Sequence, residues 1–178
     1  MSAFTQTPIT VNLSVGYGEI TIGGSSVAVG STSAEGADLG GTFVAYATLK
    51  AAMANAAKTT ALTNVVASLP GGTSIDGRAS IYTPTAIEKA LGLIPPAGGA
   101  RDGAIGVGTA IGTGNLVGVG LHEMTHGMGR EIGQSVLALA RFSSPGARVY
   151  TSSFPAAASY YSLDNGVADS ADYGQTSD

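Results

Sequence analysis

The chain has no cysteine, no tryptophan and only two histidines, and charged residues make up 11% of its 178 positions. The missing cysteine excludes disulfide scaffolds, thiol nucleophiles and every metal site built on thiolates. A charged fraction this low, against about 25% in an average soluble domain, leaves little basic surface. Eight Lys and Arg stand against twelve Asp and Glu, giving a net charge of −4. Such a chain cannot neutralise a run of phosphates, which excludes nucleic acid as a partner. Residues 1–15 hold no Lys or Arg and no long apolar run, so a secretory leader is not expected among them: either the protein is not exported by that route or the sequence begins after a cleavage point.

Glycine is plentiful instead, at 27 residues, about twice the usual share. Gly103–Leu121 is uncharged and 19 residues long, close to the ~20 that span a bilayer. Its seven glycines make it too polar and flexible for a membrane helix, so no membrane insertion is expected and the stretch reads as a buried strand followed by a buried helix.

Hydrophobic periodicity predicts one α+β domain over residues 1–178, with no internal repeat. Pro8–Ile22 alternates apolar and polar residues as a strand does, with a turn at Gly16–Gly18. Gly23–Gly41 reads as a loop or as a weak strand around Val27–Val29. Helices are expected over Thr42–Ala57 and Thr60–Ser68, then a strand over Arg78–Thr83. Thr85 and Glu88 have capping-box spacing and open a helix to about Leu93. A strand over Ala104–Ile111 precedes a helix capped by Asn115 and closed by Gly127 and Gly129, with Met124 and Met128 facing the core. Val136–Phe142 is apolar and of undecided type. Ala158–Leu163 reads as a strand, Asp164-Asn165-Gly166 as a turn, and the polar tail beyond as loose.

The two histidines are His122 and His126, with Glu123 directly after the first: His-Glu-Met-Thr-His. Two randomly placed histidines would show this spacing and this glutamate with a probability of roughly 3 × 10⁻⁴. Four helical residues turn through about 400° and rise about 6 Å, so both imidazoles leave one face. Two neutral ring nitrogens on one face can share a Zn²⁺ at about 2.0–2.1 Å. Glu123, rotated by about 100°, would flank the open position, where it can take a proton from a water whose pKa zinc lowers to about 7.

The segment Leu121–Arg130, LHEMTHGMGR, resembles the active-site helix of zincin metallopeptidases. More narrowly, it is similar to a bacterial family of predicted secreted metalloproteases whose helix reads close to HEISEVMGR. ITVNLSVGYGEI, EKALGL, ARFSSPGAR, YYSLDNG and DYG match that family in order, so the likeness spans most of the chain. The resemblance implies a zincin-like α+β domain, a secreted bacterial hydrolase, Zn²⁺ as cofactor, and a protein or peptide substrate. It further implies that Ala104–Ile111 is the sheet's edge strand, on which an extended substrate pairs by β-augmentation. Two departures stand out. The position of a third metzincin histidine is Ile132, and no methionine follows Met128 to make a Met-turn. The narrower family also often carries Glu where this chain has His126, whose imidazole makes the better zinc donor.

With no third histidine, a catalytic zinc must take Asp, Glu or Tyr as its next protein donor. Asp164 leads the candidates, because it follows the apolar run Tyr160–Leu163 in a segment shared with that family. Glu131, Asp169 and Asp172 are the others. P-loop, dinucleotide-binding, Gly-x-Ser-x-Gly and calcium β-roll motifs are absent. A zinc endopeptidase with His122 and His126 as ligands and Glu123 as general base is therefore the leading expectation. A non-catalytic secreted binding or surface protein, or a degenerate zincin with a structural metal, is the alternative.

Overall fold

A computed structural model describes residues 8–130, 135–150 and 159–173. The chain is mixed α+β. Its elements run β1 (Leu13–Tyr17), β2 (Glu19–Ile22), β3 (Ser25–Ala28), β4 (Ala34–Asp38), β5 (Gly41–Ala45), α1 (Tyr46–Ala56), α2 (Thr60–Ser68), β6 (Ser80–Pro84), α3 (Thr85–Ala90), β7 (Gly103–Val107) and α4 (Leu116–Gly127). A 3-10 turn (Val136–Ala140), β8 (Arg141–Ser144), β9 (Ala147–Arg148), β10 (Ser159–Tyr161) and β11 (Ala171–Tyr173) follow. They form two compact units, Met1–Thr42 with Thr83–Arg130, and Phe43–Tyr82 with Glu131–Asp178.

The first unit is built on a three-stranded sheet of order β1-β7-β4. β7 runs parallel to β1 and antiparallel to β4. This corrects the expectation that the strand before the histidine helix lies at the edge. Ala104 packs with Ile20 and Val29 of the β2–β3 side, while Gly103 on the opposite face meets Gly127 of α4. β7 is thus paired on both edges and covered on both faces. The edge strands are β1 and β4, and β4, Ala-Glu-Gly-Ala-Asp, is a sequence with no β-branched or aromatic residue to announce it. The expected turn between β1 and β2 is present, with Gly18 at φ +74.

α3 starts where expected, but no capping box forms: Pro84 is its N-cap and no side chain caps it. The Thr85 N–H instead bonds the Gly40 carbonyl, and Glu88 is buried, accepting from the Thr42 hydroxyl. The helix ends at Ala90, short of Leu93, with Gly92 at φ +69. Next to Glu88, Lys89 forms a buried ion pair with Asp102 at 2.8 Å and also donates to the Thr10 carbonyl. Asp102 further accepts from the Asn12 N–H, so this pair anchors the lead-in to β1 and to β7.

The second unit holds α1, α2, the 3-10 turn and a four-stranded sheet of order β11-β10-β8-β9. Tyr46, Leu49, Val65, Leu69, Ile81, Leu139, Phe142 and Tyr150 are buried in it. α2 matches its predicted span. α1 is shorter than predicted, because Thr42–Ala45 extends as part of β5. Asn165 at φ 63 and Gly166 at φ 84 make the expected turn. The tail is not all loose, since β11 pairs with β10. Ala158 lies outside the described residues. No helix among the described residues is long and apolar enough to cross a membrane.

Candidate metal centre

Helix α4 carries both histidines and lies against β4 and β7. The approach is at backbone distance. A Cβ at Gly36 of β4 would strike the Glu123 carbonyl and come within 2.8 Å of the His126 Cβ. Glycine at this register lets the helix settle on the edge strand beside its histidines. Glu123 and Gly127 are the buried residues of α4. Because this narrow, glycine-based side makes the contact, the apolar side turns outward. Val117 is 73% exposed, Leu121 59% and Met124 39%, which corrects the expectation of a fully buried helix with Met124 in the core. Asn115 is the N-cap by position, but its side chain makes no capping bond.

The helix terminates in a Schellman motif. The Arg130 N–H bonds the Thr125 carbonyl at 2.8 Å and the Gly129 N–H bonds the His126 carbonyl at 2.7 Å. Gly129 sits at φ +99, where a side chain would also run into the Pro84 ring. This reversal folds Arg130 back over the histidine face. One guanidinium nitrogen, Nη2, lies 2.7 Å from His122 Nε2 and 2.7 Å from His126 Nε2. Arg130 Nε donates to the Thr125 hydroxyl at 2.6 Å, and that hydroxyl donates to the His122 carbonyl at 2.6 Å.

The hydrogen-bond partners select a tautomer for the rings. A guanidinium only donates, so each Nε2 must present a lone pair. His126 Nδ1 is 2.6 Å from the Arg130 carbonyl, which only accepts, so this nitrogen carries the proton. The two Nε2 atoms converge on one point, their rings 5.1 Å apart and tilted by 62°.

That pair fits a zinc ion in kind. The nitrogens are of the right type, and His126 has its second nitrogen tied to a backbone carbonyl, as metal-bound imidazoles typically do. Among the described residues, however, no group of three or more His, Cys, Asp or Glu side chains is gathered to hold a metal. Of the third-donor candidates, Glu131 lies outside the described residues, as does Ile132. Asp164 and Asp169 belong to the second unit, and Asp172 is placed on β11. The Asp164 carboxylate is engaged in its own turn, accepting from the Ala168 N–H at 2.8 Å and the Ser162 hydroxyl at 2.7 Å. Those bonds, the backbone one first, hold its carboxyl below the usual aspartate value.

The chain matches no protein-family model, no curated protein and no solved structure.

Sequence reasoning missed Arg130 and Thr125. Helical spacing could not find Arg130, which lies past the helix end. The Gly129 stop signal could have, because a Schellman turn carries the next residue back toward the last helical turn.

Proposed function

We propose that this chain is a zinc-dependent endopeptidase of zincin type, secreted from a bacterial cell, with His122 and His126 as metal ligands and Glu123 as general base. One observation carries the reading: the only two imidazoles of the chain aim their Nε2 lone pairs at a single point. A zinc ion held there would supply Lewis acidity to a water and to the scissile carbonyl.

The protein's own groups do the rest. His126 is locked in the tautomer that leaves Nε2 open by the Arg130 carbonyl. Glu123 is 6% exposed, a carboxylate held out of bulk water next to the first ligand. From there it would accept a proton from the attacking water and pass it to the leaving amine. β4 borders the histidine face through Gly36 and is an edge strand of its sheet. An extended peptide is proposed to add to it by backbone pairing. Asp164 remains the proposed third donor, on the strength of the resemblance.

In the test, Glu123→Gln retains about one zinc per chain and loses casein hydrolysis by on the order of 10²–10⁴, the usual worth of a general base. Cleavage at the wild-type rate sinks the assignment. The alternative, a non-catalytic binding protein or degenerate zincin, is favoured by one observation: Arg130 satisfies both imidazoles from within the chain. It predicts no chelator-sensitive hydrolysis by the wild type at all.

A further inference from the structure

We infer that Arg130 is a built-in occupant of the cation position, exchanged for the metal when the metal binds. The inference rests on the reading of His122 and His126 as ligands and adds to it a means of regulating their loading.

The geometry is that of one cation standing in for another. Nη2 lies at the same 2.7 Å from both Nε2 atoms, where a metal sharing the two histidines has to go. One set of lone pairs cannot serve both, so each cation excludes the other. The guanidinium is also aimed from behind, since its Nε is held by the Thr125 hydroxyl, itself tied to the His122 carbonyl. Arg130 reaches this place because Gly129 turns the chain back.

Two parts of Arg130 act oppositely. The backbone carbonyl holds His126 Nδ1–H and so keeps the ring ready for a metal. The guanidinium competes with the metal for Nε2. Truncating the side chain removes the competitor and leaves the helper. In wild type, the guanidinium keeps the metal-free site ordered, with both imidazoles correctly turned. Loading the metal then releases a cationic side chain at the mouth of the site.

Linkage makes the inference quantitative. An interaction present without metal and absent with it stabilises the metal-free protein by the same factor by which it weakens metal binding. Two hydrogen bonds are given up in the exchange, and at this partly exposed position solvent competition leaves each about the net worth of an ordinary protein hydrogen bond, which sets the expected factor at about 10- to 100-fold.

The experiment compares wild type with Arg130→Met, measuring Zn²⁺ affinity by competition with a chromogenic chelator and unfolding by urea with and without Zn²⁺. Arg130→Met is expected to bind Zn²⁺ about 10- to 100-fold more tightly and to be less stable than wild type only when metal-free. Thr125→Val, which leaves the arginine but loosens its aim, is expected to gain affinity by a smaller factor and guards against a fold defect in the first variant. Side-chain ¹⁵N shifts of the metal-free proteins supply a readout without metal: the Nε2 resonances of both rings are expected to shift between wild type and Arg130→Met, because each loses its guanidinium partner, while the His126 Nδ1 resonance, held by the backbone carbonyl, stays in place. Equal Zn²⁺ affinities, or weaker binding by Arg130→Met, overturn the exchange while leaving the metal site standing. No Zn²⁺ binding by any of the three proteins removes the metal site itself, and the exchange with it.

Discussion

The first unit seats its helix on its sheet through bare backbone, whereas the second fills its interior with aromatic, aliphatic and arginine side chains. In the first, Gly36 meets the Glu123 carbonyl, and Gly103 meets Gly127. In the second, Tyr46, Leu49, Ile81, Phe142 and Tyr150 are nearly or wholly buried together with the fully buried Arg141, whose Nε donates to Ser159. Side chains can change rotamer to absorb a misfit, but two backbones in contact cannot. The histidine pair is thus carried by the contact with the least tolerance, which suits a site that needs two nitrogens aimed at one point. The second unit gains apolar burial and accepts buried polar groups that respond to charge and pH.

The sharpest way to break this comparison is a single methyl group. Gly36→Ala would drive α4 off β4, and the expected loss is about 3 kcal/mol or more in urea unfolding, as for overpacking where no side chain can yield. Zn²⁺ affinity would fall with it, since the His126 Cβ lies within the clash. Gly71 of the second unit is the control: nothing lies within 4 Å of a Cβ there, so Gly71→Ala changes stability by no more than about 0.5 kcal/mol. Equal effects at the two positions would show that the glycine contact does not set the helix position.

The difference between the units also explains what could be read from the sequence. α2 was legible to the residue, because Thr59 caps it with its hydroxyl on the Leu62 N–H and Pro70 follows its end. The helix of His122 and His126 was legible from spacing and from its closing glycines. β4 was not, because an edge strand of alanine, glycine and acids owes its place to a glycine contact that no hydrophobic pattern records. The middle position of β7 was hidden for the same reason, since small residues permit two neighbours without announcing them. At the site, the histidine and glutamate positions were visible because helix geometry is local. Arg130 was not, because its position depends on a chain reversal beyond the helix.

The second unit is tested through Arg148. Its guanidinium stacks 4.5 Å from the Phe142 ring centroid and donates to the Ser68 hydroxyl at 2.8 Å and carbonyl at 3.3 Å. Desolvation pulls its pKa below the usual arginine value, partly opposed by Tyr46. Arg148→Lys keeps the charge but not the planar fork or the stacking face. A loss of about 1–2 kcal/mol in urea unfolding is expected. No loss would mean that only the charge matters there, and that the second unit is less dependent on side-chain fit than its packing indicates.

The smallest effect is a pH dependence confined to the second unit. Tyr150 is 1% exposed, and desolvation pushes its phenol up to about 12, opposed by Arg78 and assisted by Asp76. A phenol raised above its unfolded value of 10.0 favours the protonated form in the folded state. The unfolded chain therefore releases that proton first as pH rises. The stabilising contribution is complete below about pH 10, declines above it, and is lost once pH passes the folded value. Tyr46, raised chiefly by burial as well, adds a decline of the same sign. Tyr150→Phe is expected to change stability by about 1 kcal/mol at neutral pH, the net worth of one buried hydroxyl, and to flatten the fall in unfolding free energy between pH 10 and 12. The remaining slope should shrink again when Tyr46→Phe is added. If the alkaline slope of Tyr150→Phe equals that of wild type, the buried phenol is not the group that titrates, and the pH response belongs elsewhere in the chain.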